Sequence, residues 1–210
     1  MAPHGEVPVE KLREGEQVLT GSGRATPIVW IGQRRIACAR HKEPPKVLPV
    51  RIRAGAFAAD VPGRDLLLSP DHAVFADGVL IPVKHLINGI TVRQEYVASA
   101  NYFHIELTTH DILLAEGLAV ESYLDSGNRA EFANGPDPLV LHPSFSSGDR
   151  EIRCAPLCVS GPRLATLKRV LLSRLEQSGY RTTTAPDLHL VAAGRSIRPA
   201  TVSGNLYRFI

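Results

Sequence analysis

A chain of 210 residues has room for one large or two small domains, and 44% hydrophobic content is enough to build a real core. No run approaches the ~18 consecutive apolar residues of a membrane-spanning helix, and the opening MAPHGEVPVE has neither the basic start nor the apolar stretch of an export signal. Three cysteines, Cys38, Cys154 and Cys158, are too few and too odd in number for a disulfide framework. Cys154-x-x-x-Cys158 has no second pair to complete a closed zinc site, so neither a metal nor a cofactor is expected.

Charge is unevenly spread. Residues 151–210 hold nine Lys or Arg against three Asp or Glu, a net of +6, whereas residues 1–150 carry a net of −3. That asymmetry suggests two domains. Basic residues also crowd RRIACARHKEPPKVLPVRIR at 34–53, but no stacking aromatics or nucleic-acid-binding motif accompany them, so a solvated face outweighs a nucleic-acid surface.

In chain order, short apolar or alternating segments fall at 16–20, 28–32, 47–53, 66–68, 73–75, 79–83, 91–97, 102–107, 111–115 and 118–123. Turn formers separate them, as in TGSGRATP, FADGV, LINGI and LAEGL, which is the pattern of a β-rich unit with many hairpins. Asp77-Gly78 and Asn88-Gly89 suit the positive φ of tight turns. PVEKLREGEQV at 8–18 and PVKHLINGITV at 82–92 match at Pro8/Pro82, Val9/Val83, Leu12/Leu86, Gly15/Gly89 and Val18/Val92, always 74 residues apart. The echo predicts a duplicated β unit with pseudo-two-fold symmetry.

A Pro, Ser and Gly-rich connector follows at 135–151. Ser160-Gly161-Pro162 then opens a helix whose Leu164, Leu167, Leu171 and Leu175 share a face, with Arg163, Lys168, Arg169 and Arg174 on the other and Gly179 at its end. DLHLVAAG, a turn at Gly194-Arg195 and TVSGNLYRFI complete a small basic α+β module, expected to be incomplete because it stops on apolar residues. The expected division is a first domain at 1–135, a linker at 136–150 and the module at 151–210.

The candidate chemistry sits in LLLSPDHAVFADGVLIPVKHL, residues 66–86, where Ser69-Pro70-Asp71-His72 interrupts apolar runs. Proline and aspartate fit the middle of a turn, so a structural turn ending in a core histidine accounts for these four residues by themselves. Together with the duplication and with NYFHIELTTHDILLAEGLAVESY at 101–123, the block resembles the Hint family, the hedgehog and intein autoprocessing domains, and residues 4 to about 135 resemble bacterial Hint-domain proteins in particular.

That resemblance implies a mainly β, horseshoe-like pseudo-two-fold disk. It also implies an acyl shift: a cysteine or serine heading the domain attacks the preceding carbonyl, and water or another nucleophile resolves the ester. The substrate would be the chain's own upstream segment, in cis, with no membrane partner; nothing in the sequence sets the oligomeric state. Ser69 and His72 match the family's Thr-x-x-His block, and histidine suits delivery of a proton to the scissile nitrogen. His110 matches a histidine of the C-terminal block, and Asp111 beside it could orient a partner; a strand-edge histidine next to a turn aspartate accounts for this pair equally well. His85 and His104 are assigned to structure.

Two departures bear on activity. The family's opening Cys-Phe-x-x-Gly-Thr would lie upstream of Met1, so this chain is expected to be truncated or degenerate and inactive as written. Where inteins end in His-Asn, Val120-Glu121-Ser122-Tyr123 stands here, so splicing by asparagine cyclisation is excluded by residue type. The rival readings are a catalytically dead β-rich interaction module and, behind it, a nucleic-acid binder using the basic helix.

Overall fold

The computed structural model describes residues 1–135, 153–181, 187–203 and 206–209. The connector expected at 136–150 lies outside the described residues. In chain order the strands are β1 (Gln17–Leu19), β2 (Ala25–Ile36), β3 (Val50–Ile52), β4 (Leu66–Leu68), β5 (Ala73–Ala76), β6 (Val79–Pro82), β7 (Val92–Gln94), β8 (Ala100–Leu107), β9 (Ile112–Ala115) and β10 (Leu118–Glu121). A helix, α1 (Pro162–Gln177), follows, and then β11 (Leu190–Ala192), β12 (Arg195–Ile197), β13 (Thr201–Ser203) and β14 (Leu206–Arg208). The fold is mainly β. No helix among the described residues is long and apolar enough to cross a membrane.

Three antiparallel sheets, ordered β1-β2-β8, β6-β5-β10-β9 and β4-β3-β7, make up the first 121 residues, and β11–β12 and β13–β14 are separate hairpins. Asp77 and Gly78, at φ 49° and 72°, form the two-residue turn that pairs Ala76 with Val79. Both residues lie in the left-handed region, the twist that a two-residue hairpin requires.

The duplication is visible in the backbone. Each copy enters a short 3-10 turn from a proline in the same conformation, Pro8 at φ −55°, ψ 135° and Pro82 at φ −54°, ψ 129°. Each then passes a glycine of positive φ, Gly15 at 86° and Gly89 at 81°. Register gives an independent test. A two-fold that maps residue i onto i + 74 must carry its axis through a pair whose members differ by 74, and β2 and β8 pair antiparallel at Ile31↔Ile105. Gly32↔His104 is carried by the same operation onto Trp30↔Glu106, which is also an observed pair. The copies exchange hairpins as well: β3 and β4 of the first join β7 of the second, while β9 of the second meets the end of β1 at Thr20↔Leu113.

The main core packs Val50, Ile52, Val74, Ile81, Val83 and Val92, all at most 1% exposed. Leu164 and Leu171 of α1 belong to that same core. Arg174 anchors the helix further by donating from Nη2 to the Gly55 carbonyl at 2.9 Å. The leucine face predicted from sequence is thus seated on the β unit, and Arg163, Lys168 and Arg169 face solvent.

Candidate functional site

β4 delivers the chain into the Ser69–His72 turn and β5 carries it away. The His72 N–H donates to the Ser69 carbonyl at 3.1 Å, closing a turn with Pro70 and Asp71 in the middle. The loop is clamped from outside, because Lys84 N–H donates to Pro70 O at 3.0 Å, Val83 N–H to His72 O at 2.9 Å, and the Lys84 ammonium holds the Asp71 carboxylate. Ser69 and His72 therefore project from a fixed frame.

Both line a cavity of about 470 Å³, together with His104, Glu121 and Met1. Met1 is tied in by its backbone: its amine donates to Leu114 O at 2.7 Å and its carbonyl accepts from Leu19 N–H at 3.0 Å. A second cavity, of about 350 Å³, shares Ser69, His72, His104 and Glu121 and extends toward Lys84 and Arg153. These four side chains form the partition between the two.

His72 Nε2 is buried and has no hydrogen-bond partner among the described residues. Its ring bonds to the Glu121 main-chain carbonyl, which leaves Nδ1 as the donor and a lone pair on Nε2. Burial lowers its pKa below the ordinary 6.5, outweighing the opposing pull of Glu121, with nearby His110 a lesser contribution in the same direction as burial. The imidazole is therefore neutral at neutral pH. The Ser69 hydroxyl has no hydrogen-bond partner among the described residues.

His104, assigned to structure from the sequence, stands beside His72 with ring centroids 6.0 Å apart. Burial, and then neighbouring His72, push its pKa down to about 4. Strand alternation explains its position: Ile105 and Leu107 enter a core while His104 and Glu106 take the opposite face. Tyr123 and Phe132 pack edge-on against it, with centroids at 5.7 Å and 5.1 Å, and Phe132 continues onto Trp30.

Glu121 was not among the candidates either. At the end of β10, its Oε1 accepts from Ala73 N–H at 2.8 Å. Burial pushes its pKa up, but His110, neighbouring His72 and the Ala73 N–H together outweigh burial and hold it below the usual carboxylate range. His110 places Nε2 at 3.6 Å from Glu121 Oε2, an ion-pair distance rather than a hydrogen bond, and accepts at Nδ1 from Cys154 N–H at 3.0 Å. Asp111 turns elsewhere, pairing with Arg24 at 3.2 Å. The structure thus brings Ser69 and His72 together, sets His110 behind them through Glu121, and leaves Asp111 outside the cavity lining. Cys38 is fully buried, its thiol directed at the Ile36 and Val47 carbonyls.

Two crystal structures of the MchDnaB-1 intein align at 14% identity, one over 58% of this chain and 93% of the intein with a TM-score of 0.41, the other over 57% and 92% with a TM-score of 0.40. No curated protein sequence gives a significant match. The family model described as the Hint domain matches residues 1–127, more than half of the chain. The chain belongs to the Hint-domain family.

Proposed function

We propose that the cavity containing His72 carries out the first step of Hint-type autoprocessing on the polypeptide that enters it at Met1. The observation that carries this reading is the lone pair of His72 Nε2, buried without a partner among the described residues in the cavity that also holds Met1. A buried polar atom of this kind costs stability, and a reacting group is one reason to keep it.

The chemistry follows from the protonation state. A cysteine or serine heading the domain loses its S–H or O–H proton to His72 Nε2 as the sulfur or oxygen attacks the preceding carbonyl carbon. The imidazolium, stabilised by the Glu121 main-chain carbonyl and carboxylate, then returns that proton to the amide nitrogen as the C–N bond breaks. The products are a thioester or ester and a free amine, and water or a hydroxyl acceptor resolves the acyl group. Ser69 donates its hydroxyl hydrogen to the scissile carbonyl oxygen, where negative charge develops. His110 and Asp111 are positioning residues here, His110 through Glu121 and Asp111 by tying β9 to Arg24. Residues 1–135 are the processing unit and 151–210 an appended basic module docked on it.

The test is a fusion in which a reporter and a Cys-Phe-x-x-Gly-Thr segment precede residue 1. Dithiothreitol or hydroxylamine should release the reporter, and Ser69→Ala should slow release about fivefold, as expected from losing a ~1 kcal/mol hydrogen bond. No release from the fusion would instead support an inert β-rich interaction module.

A further inference from the structure

Residues 153–159 lie beyond the span matched by the family model and run along the back of the site. The segment adds a parallel bridge, Leu80↔Leu157, to the edge of β6, with Leu80 N–H donating to Pro156 O at 2.9 Å and Cys158 N–H to Leu80 O at 2.8 Å. Ala155 packs beside Ala73, Leu80 and Ile112. Arg153, Leu157 and Val159 line the second cavity. At the leading end of this arm, Cys154 N–H donates to His110 Nδ1 at 3.0 Å and Arg153 Nη1 stands 3.8 Å from Glu121 Oε2.

We propose that this arm is a positioning element of the site, its Cys154 N–H holding His110 as the Nε2–H tautomer so that the ring proton faces Glu121, the carboxylate that neighbours His72. A neutral imidazole has one donor and one acceptor nitrogen. With Nδ1 occupied as acceptor, the proton must sit on Nε2. The opposite tautomer would set two N–H groups against each other at Nδ1 and turn a lone pair toward a carboxylate, unfavourable on both sides. Backbone, not thiol, makes the contact, so the residue type at 154 matters only through its N–H.

The significance for the reaction rests on the functional reading above; the tautomer does not. Long-range ¹⁵N–¹H correlation spectra of the unaltered protein should show His110 with Nε2 protonated, and a ¹⁵N–¹⁵N coupling across the hydrogen bond should connect Cys154 N to His110 Nδ1. Cys154→Pro removes the N–H and should move His110 to a mixture or to Nδ1–H, whereas Cys154→Ala should leave it unchanged. An Nδ1–H tautomer in the unaltered protein, or a folded Cys154→Pro protein with the tautomer unmoved, would overturn the proposal. If the proline variant does not fold, the coupling in the unaltered protein still decides. In the reporter fusion, Cys154→Pro should slow release and Cys154→Ala should not; a fusion that never cleaves while the coupling is present counts against the functional reading and leaves the arm's role standing.

Discussion

His104 ties stability to pH in a way that can be isolated. Its pKa falls from the ordinary 6.5 to about 4 on folding, chiefly because the ring is buried among His72, Tyr123 and Phe132. The charged form is favoured in the unfolded chain, so below pH 6.5 the unfolded state binds the extra proton and folding stability falls with pH until about 4. One pKa unit corresponds to ~1.4 kcal/mol, so between about pH 7.5 and about pH 4.5 this single group removes about 2.5 kcal/mol. His104→Phe keeps a ring in contact with Tyr123 and Phe132 and deletes the titration. Urea unfolding at the two pH values, followed through Trp30, the only tryptophan, measures the difference. The unaltered protein should lose about 2.5 kcal/mol more than His104→Phe, since carboxylate effects are common to both. An equal loss in both proteins would show that His104 is not held neutral by burial.

Other perturbations probe other parts of the account. Gly32→Ala should cost ~1–3 kcal/mol by overpacking, because its Cβ would lie 2.6 Å from Trp30 Cζ3 and 2.8 Å from Phe132 Cδ1; the urea midpoint and Trp30 emission report it. Leu171→Ala, at a site 1% exposed in the main core, should lower stability by ~2–5 kcal/mol in the transition seen by Trp30, although that residue lies in β2; an unmoved transition would mean α1 unfolds as an independent unit. In the reporter fusion, the acid limb of the release rate should lie below pH 6.5, because His72 must be neutral to accept a proton and burial lowers its pKa; a limb above 6.5 would contradict that assignment.

The local features of the fold were legible in the sequence. Turn formers marked the hairpins, and the echo at 74 residues located the symmetry axis that the β2–β8 register carries at Ile31↔Ile105. β2 is longer than its apolar signal at 28–32 because Arg34 and Arg35 continue the pairing with β8 without contributing to a core. The Ser69–His72 turn was readable because its chemistry is contiguous. His104 and Glu121 were not, because they reach His72 only through strands β8 and β10, distant in sequence, and nothing local distinguishes them from surface positions of a half-buried strand. The arm at 153–159 left no trace either: its bonds to Leu80 and His110 are made by backbone groups, which every residue carries.

The central claim is that His72 Nε2 carries the proton of the acyl shift, and one rate measures it. In the reporter fusion under dithiothreitol, His72→Ala should reduce single-turnover release by at least ~100-fold, the lower end of what a positioned acid–base group contributes. Far-ultraviolet circular dichroism and Trp30 emission should confirm that the variant is folded. Release by folded His72→Ala at a rate near that of the unaltered fusion would make the histidine a structural part of the turn and contradict the account.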